Sequence, residues 1–523
     1  MTAGNEIRFD RGLLDSYRGI RGCFGEPDGY RADISSYIDV EELRNSSLYG
    51  FDDSRVRVIA GRKGSGKTLL MRRMREGYEG NLAPSRLIID VEQTQLPTTR
   101  QIVSVSRLCP DSLLTETWQQ IWGKSILLSL MSHFLLDRDF MSRVTGFDRD
   151  ALSRDFADLS KYFTTEPRTP FTILKAFIVG TVAERDDAGS VMRLNRLLDD
   201  PTWDDLEIRL GRLMRSMPPI YVFIDAVDEE FAHAPMEWLR CQKGLFYELL
   251  RFLRHRALGE RLHLVISIRD IVLHSVFKSE HSPRYMGDPR IRVLQWDREA
   301  AVKLLDHKAA HVERQFWLSG SRPKNFRDWV GFARVGTSEM DWDLYDYALG
   351  FTQNLPREIV TLGNLIGREI VDRGCLSMSG LMRASRNVGR LSALTQLEIS
   401  ANQLRASERM FWDSSGFQAE QEQADRRAQE LLDSLADIGH SPVRANELNV
   451  LGRVGEAAGE GNAQSILWQN GLLGYRDEFG RDVYFSLDVR GRLSLPGAAS
   501  YCLHPSLAAL IDSSDGHWKR RAI

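Results

Sequence analysis

The chain has 523 residues, enough for two to four domains at the usual size of about 100 to 200 residues each. Its 42% hydrophobic and 27% charged residues match an ordinary globular composition, which excludes a disordered or fibrous chain. Lysine and arginine number 69 against 72 aspartates and glutamates, a net charge of -3, so a general nucleic-acid coat is excluded and any nucleic-acid contact must be local.

Residues 1–45 form an N-terminal segment with charged residues where a signal peptide needs an apolar run. A short β-branched run, RVRVIA at 55–60, predicts a strand that stops at Gly61, and KTLLMRRMREGY predicts the helix that follows. Further buried parallel strands are predicted at 87–91, 220–224 and 262–268, with a weaker fifth at 291–296. Residues 92–200 are too long for one crossover and predict a helical insertion, with Trp118 and Trp122 as core anchors. Within it, ILLSLMSHFLL at 126–136 is too short to span a bilayer and predicts a buried helix.

After residue 298 helical periodicity takes over, and 299–400 is expected to be a helical lid. The polar run 400–430 suits an exposed connecting helix, so a boundary is placed there and 401–523 becomes a linker helix with a winged-helix-like domain. The last inference rests on a helix at 463–471 followed by strands 471–475 and 483–487 around the turn DEFGRD. The expected class is therefore α/β: a P-loop NTPase parallel sheet, residues 46–298, carrying the insertion at 92–200, then lid and winged helix. Cys23, Cys109, Cys241, Cys375 and Cys502 form no CxxC pair, as expected of a reduced, cytoplasmic chain without a membrane span.

The chemistry concentrates in GRKGSGKT, Gly61, Arg62, Lys63, Gly64, Ser65, Gly66, Lys67 and Thr68. Phosphate binding needs backbone N–H groups turned inward around small residues, an ammonium for the β- and γ-phosphates and a hydroxyl for Mg²⁺. The three glycines, Lys67 and Thr68 supply these, so ATP and Mg²⁺ are the expected cofactors. A carboxylate at the end of a neighbouring strand should complete the metal shell, and in IYVFIDAVDEE that is Asp225. Glu229, with Asp228 as its rival, is expected to orient or deprotonate the attacking water; the bland reading of this pair is a helix cap. Arg269 closes the strand LHLVISIR and Arg357 opens the lid helix in NLPREIV, where either could stabilise charge on a transferring phosphoryl group. Arg284, Arg290 and Arg292 form a weaker candidate for a finger offered to a neighbouring subunit.

With its hydrophobic strand, Asp, small residue, hydrophobic residue, Asp and Glu, the run FIDAVDE at 223–229 resembles the second motif of NACHT-type STAND ATPases. The resemblance covers about residues 50–370 and, more loosely, the winged-helix-like tail. It implies an ATP-driven switch that opens and homo-oligomerises on a stimulus, in bacteria often for antiviral defence against phage. Such proteins usually carry a repeat array as sensor and an effector domain, and neither is legible here. The expectation is a separate effector or sensor protein, or sensing by the insertion. The chain is also similar to bacterial P-loop ATPases with GRKGSGKT-type loops and a C-terminal winged helix. The alternative is a DNA-binding ATPase of initiator or loader type. Against it, the predicted recognition helix, NAQSILWQN, has no Lys or Arg, although the wing holds Arg476 and Arg481 and the end holds Lys519, Arg520 and Arg521.

Overall fold

The computed structural model describes residues 8–10, 12, 22–34, 38, 56–81, 87–90, 97–110, 112–137, 168–182, 187–215, 217–225, 235–255, 258–277, 285, 288–336, 341–407, 417–454, 463–485 and 494–511. The chain divides into two compact units. One holds Asp53–Ala60 and Met71–Val293; the other holds Met1–Asp52, Gly61–Leu70 and Leu294–Ile523.

The first unit is mixed α/β around a parallel sheet. In chain order come β1 (Val58–Gly61), α1 (Lys67–Asn81), β2 (Leu87–Asp90), α2 (Thr99–Ser106), α3 (Leu114–Leu136), α4 (Pro170–Thr181), α5 (Asp187–Leu198) and α6 (Thr202–Met214). There follow β3 (Ile220–Ile224), α7 (Pro235–Arg254), β4 (Leu262–Arg269), α8 (Asp270–Phe277) and β5 (Ile291–Val293). The sheet order is β2-β3-β4-β1-β5. Its parallel registers pair Leu87 with Ile220, Ile220 with Leu262, and Val58 with Ile291. Every residue of β3 is buried, as is nearly all of β4, which is why both read as unbroken apolar runs and not as alternating ones. The fifth strand stops at Val293, short of the expected 296, because Leu294 to Trp296 lead into Asp297, whose carboxylate caps the next helix at Ala300 N.

Between β2 and residue 200 the described residues form the helices α2, α3, α4 and α5. Thr98 and Gln101 form a capping box at the start of α2, and Thr169 caps α4 ahead of Pro170. Trp118 and Trp122 are both fully buried, and Trp122 donates its indole N–H to the Cys241 carbonyl on α7 at 3.1 Å. They are core anchors, as the spacing predicts. Among the described residues no helix is long and apolar enough to cross a membrane.

In the second unit α9 (Arg298–Ala310), α10 (Phe326–Val330), α11 (Leu344–Gly350) and α12 (Pro356–Arg373) pack into one apolar cluster around Trp329, Tyr347 and Ile366. A ribbon of β6 (Arg334–Gly336) and β7 (Asp341–Asp343), too short to leave a signal in the sequence, lies within it. The helix α13 (Met378–Ser407) continues for 30 residues, about 45 Å at 1.5 Å per residue. Its first half, with Leu381 and Val388, belongs to that cluster, and its second half, with Leu397, Ala401 and Leu404, belongs to the core of the tail. The tail adds α14 (Phe417–Ile438), α15 (Ala463–Gln469), β8 (Leu473–Arg476), β9 (Asp482–Val483), β10 (Tyr501–Leu503) and α16 (Pro505–Ile511).

The exposed connector expected at 400–430 is thus corrected at both its ends. Ala401, Leu404 and Ala428 are buried in the apolar cluster to which α13 and α14 both contribute, so these parts of the run carry an apolar inner face beneath their polar residues. The expected hairpin is β8 with β9, antiparallel, but β9 is only two residues long. Phe485 instead turns its ring edge-on to Trp468 at 5.7 Å. A third strand, β10, pairs with β8 on its other side.

Candidate functional site

Residues 61–68 join the buried strand β1 to helix α1. Gly64 and Gly66 have φ of +90° and +95°, backbone that L side chains adopt only with strain. At Gly61 the reason is space: an added Cβ would fall 2.5 Å from Ser65 Oγ. Lys67, 6% exposed, turns its ammonium back over the loop and donates to the carbonyls of Gly61 at 3.0 Å and Arg62 at 3.1 Å. The first turn of α1 holds no acidic residue, so nothing on its own side chains offsets the positive end of the helix. Trp296 donates its indole N–H to the Ser65 carbonyl at 3.0 Å.

Arg62 ties this loop to the rest of its unit. Its guanidinium donates to Gln353 Oε1 at 3.0 Å and to the Gln469 carbonyl at the end of α15 at 2.9 Å. It also lies 5.6 Å from the centre of the Phe485 ring. Gln353 in turn donates to the Asn470 carbonyl at 2.9 Å. Gly471 has φ +71°, backbone that L side chains adopt only with strain, and a Cβ there would lie 2.9 Å from Arg62 Nη1. Arg357 meets the same loop: its backbone N–H donates to the Gly64 carbonyl at 3.3 Å, and its side-chain stem would lie 3.1 Å from a Cβ on Gly64. Next to it, Glu358 accepts from the N–H groups of Gln353 and Leu355 and from the Ser392 hydroxyl. Burial pushes its carboxyl up, against the pull of those donors and of the Arg62 charge. Lys63 in the loop and Thr68 in the first turn of α1 are half-buried.

A strap from the N-terminal segment, to which the sequence assigns no role, runs over this part of the unit. Phe24 N–H donates to Asn364 Oδ1 at 2.8 Å, and Asn364 Nδ2 returns a bond to the Gly25 carbonyl at 2.8 Å. Cys23 donates to the Gly363 carbonyl at 3.0 Å; burial pushes this thiol up to about 12, so it stays a neutral donor. Arg357 Nε donates to the Pro27 carbonyl at 3.4 Å, and a Cβ on Gly29 would lie 3.1 Å from Thr68 Cβ.

The other sequence-predicted groups belong to the sheet unit. Asp225 directly follows β3, and Ser267 on β4 donates its hydroxyl to Asp225 Oδ1. Arg269 closes β4 and is buried, with its backbone N–H donating to Gln242 Oε1 on α7 at 3.2 Å. Asp225, Ser267 and Arg269 thus cluster at the carboxyl ends of β3 and β4. Asp228 and Glu229 lie outside the described residues, as does Arg284. Of the weaker finger candidates, Arg290 is engaged by Asp288 at 2.6 Å and Arg292 is buried in β5.

Sequence reasoning missed Gln242, Ser267, Trp296, Gln353 and Gln469. Only Ser267 leaves a signal, a single hydroxyl within an apolar strand; the rest act through contacts distant along the chain.

As a donor set, the loop suits a polyphosphate: glycine backbone at positive φ, an ammonium folded onto the rim and the start of a helix. Among the described residues no group of three or more His, Cys, Asp or Glu comes together. No protein-family model matches the chain. No curated protein matches it either.

Proposed function

We propose that this chain binds ATP with Mg²⁺ at residues 61–68 and hydrolyses it as a regulated switch that assembles with itself or with a separate partner protein. The observation that carries the reading is the loop: two glycines at positive φ between a buried strand and a helix, with Lys67 laid back over the rim. Lys67 would hold the β- and γ-phosphates, and Thr68 and Asp225 would share the metal. Mg²⁺, when bound, supplies charge neutralisation on the phosphates. Glu229, with Asp228 as rival, would position the water, while Arg269 and Arg357 would stabilise charge on the γ-phosphate.

The regulatory side of the reading rests on Arg62. A residue inside the phosphate loop is bonded to the end of α15 in the tail, so an incoming triphosphate offers this guanidinium an anion in place of a neutral carbonyl. Nucleotide binding and loosening of the tail are then linked. Arg62→Ala should speed amide hydrogen exchange at Gly471 and Leu472 roughly tenfold in the nucleotide-free protein, equivalent to about 1.4 kcal/mol of lost junction. Unchanged exchange there would remove Arg62 from the switch.

Glu229→Gln tests the hydrolytic and assembly claims together. ATP binding is expected to persist while turnover falls roughly 10²- to 10⁴-fold, the usual range for a positioned general base. Mass measurement by light scattering should then show a larger species with ATP than without. A constant mass in both states would count against assembly, and normal turnover would move the water-positioning role to Asp228.

The DNA-binding alternative gains nothing from the tail. Arg476 is paired with Asp482 at 2.9 Å and Arg481 with Asp477 at 2.8 Å, so both arginines face carboxylates of their own hairpin. The helix α15 offers no cation, and residues 519–521 lie outside the described part of the chain.

A further inference from the structure

β4 carries one hydroxyl in an otherwise apolar stretch, and Ser267 is only 2% exposed. A hydroxyl so buried needs a bonded partner, and Ser267 Oγ finds it in the carboxylate of Asp225. The parallel register is what brings them together: Ile224 pairs with Ile266, so Asp225 and Ser267 are the next residues along neighbouring strands. Side chains alternate along a strand, so Arg269 leaves β4 on the same face as Ser267, one pleat further on.

We infer that Ser267 is a positioning residue for Asp225, setting the plane in which that carboxylate meets Mg²⁺; this rests on the nucleotide reading above. A carboxylate turns about its last side-chain bond in a broad, shallow well. A donor fixed to a β-strand and aimed at Oδ1 removes that freedom, because the strand position cannot shift without breaking the sheet register. Partners of this kind, one bond removed from the metal, commonly carry 10- to 100-fold in metal affinity.

The test uses the full chain and reads Mg²⁺ demand instead of turnover. A fluorescent ATP analogue is titrated with Mg²⁺ in the wild type, Ser267→Thr and Ser267→Val. Threonine and valine add the same methyl and suit a strand equally, so they differ in the hydroxyl alone. Ser267→Val should need about 10- to 100-fold more Mg²⁺ for half-maximal binding. Ser267→Thr should stay close to the wild type, and all three should bind the analogue alike in EDTA. Equal midpoints for the threonine and valine variants, in a protein whose wild type depends on Mg²⁺, would overturn the inference and leave the nucleotide reading standing. A wild type that binds no analogue, or binds it without regard to Mg²⁺, sinks the reading itself and the inference with it. Should Ser267→Val fail to fold by circular dichroism, Ser267→Ala is held to the same comparison with Ser267→Thr.

Discussion

Lys67→Ala is expected to weaken ATP binding by about 2–5 kcal/mol, the usual loss when one member of a desolvated charge pair is truncated. That corresponds to roughly 30- to several-thousand-fold in affinity. The size follows from where the ammonium sits. Lys67 is almost fully buried and is held at the loop rim by two carbonyls, so it is already oriented and no long side chain has to be ordered when a triphosphate arrives. Alanine leaves the glycine bend and the helix start in place but removes the charge proposed to hold the phosphates. Calorimetric titration with ATP and Mg²⁺ measures the change. An affinity within about twofold of wild type would mean that the nucleotide does not use this loop.

Gly244→Ala should be the most damaging small substitution in the sheet unit. An added Cβ would lie 2.6 Å from Trp118 Cβ, 2.7 Å from Gln119 N and 2.8 Å from Trp118 C. Two of those neighbours are backbone atoms of α3, so no side chain can rotate away and the helices α3 and α7 must separate. The same crossing is close one turn further on: at Gly123 the Glu248 carboxylate occupies the space, 2.3 Å from where a Cβ would stand. That carboxylate is buried, with Arg251 at 2.7 Å, and Arg251 also holds Glu207 at 2.7 Å. Spreading the helices would weaken this ion network as well as the packing of Trp118 and Trp122. The expected loss is about 3 kcal/mol, at the upper end of typical overpacking costs. A unit of this size should then melt roughly 6–12 °C lower. Gly77→Ala is the control, since Gly77 lies in α1 with nothing within 4 Å of an added Cβ. It should leave the melting temperature unchanged or raise it by helix propensity. Equal melting temperatures for the two variants would show that the α3–α7 crossing tolerates a side chain.

The parts of the fold carried by local pattern were legible in the sequence. β3 and β4 are apolar runs of strand length, and their registers need no contact beyond the sheet. The strand, glycine turn and helix around residues 58–81 are a local pattern of the same kind. What escaped depends on contacts between distant residues. The bond from Arg62 to the Gln469 carbonyl joins positions more than 400 residues apart, and no periodicity marks either of them. The strap at 22–34 is held by single side chains, Asn364 above all, against two glycines of α12. The buried ends of the run 400–430 are hidden from a charge count because phase decides burial: polar residues are many, but Ala401 and Leu404 on α13 and Ala428 on α14 fall within one apolar cluster. β9 was legible as the second strand of the hairpin but is shorter than expected, whereas β10 is too short to leave a signal of its own and exists through pairing with β8.

The central claim is that residues 61–68 hold a nucleoside triphosphate with Mg²⁺, and its most direct test is equilibrium titration of the unmodified full chain with ATP. The account predicts saturable binding that Mg²⁺ strengthens and that inorganic triphosphate competes away. No saturable binding up to millimolar ATP, with or without Mg²⁺, would contradict it.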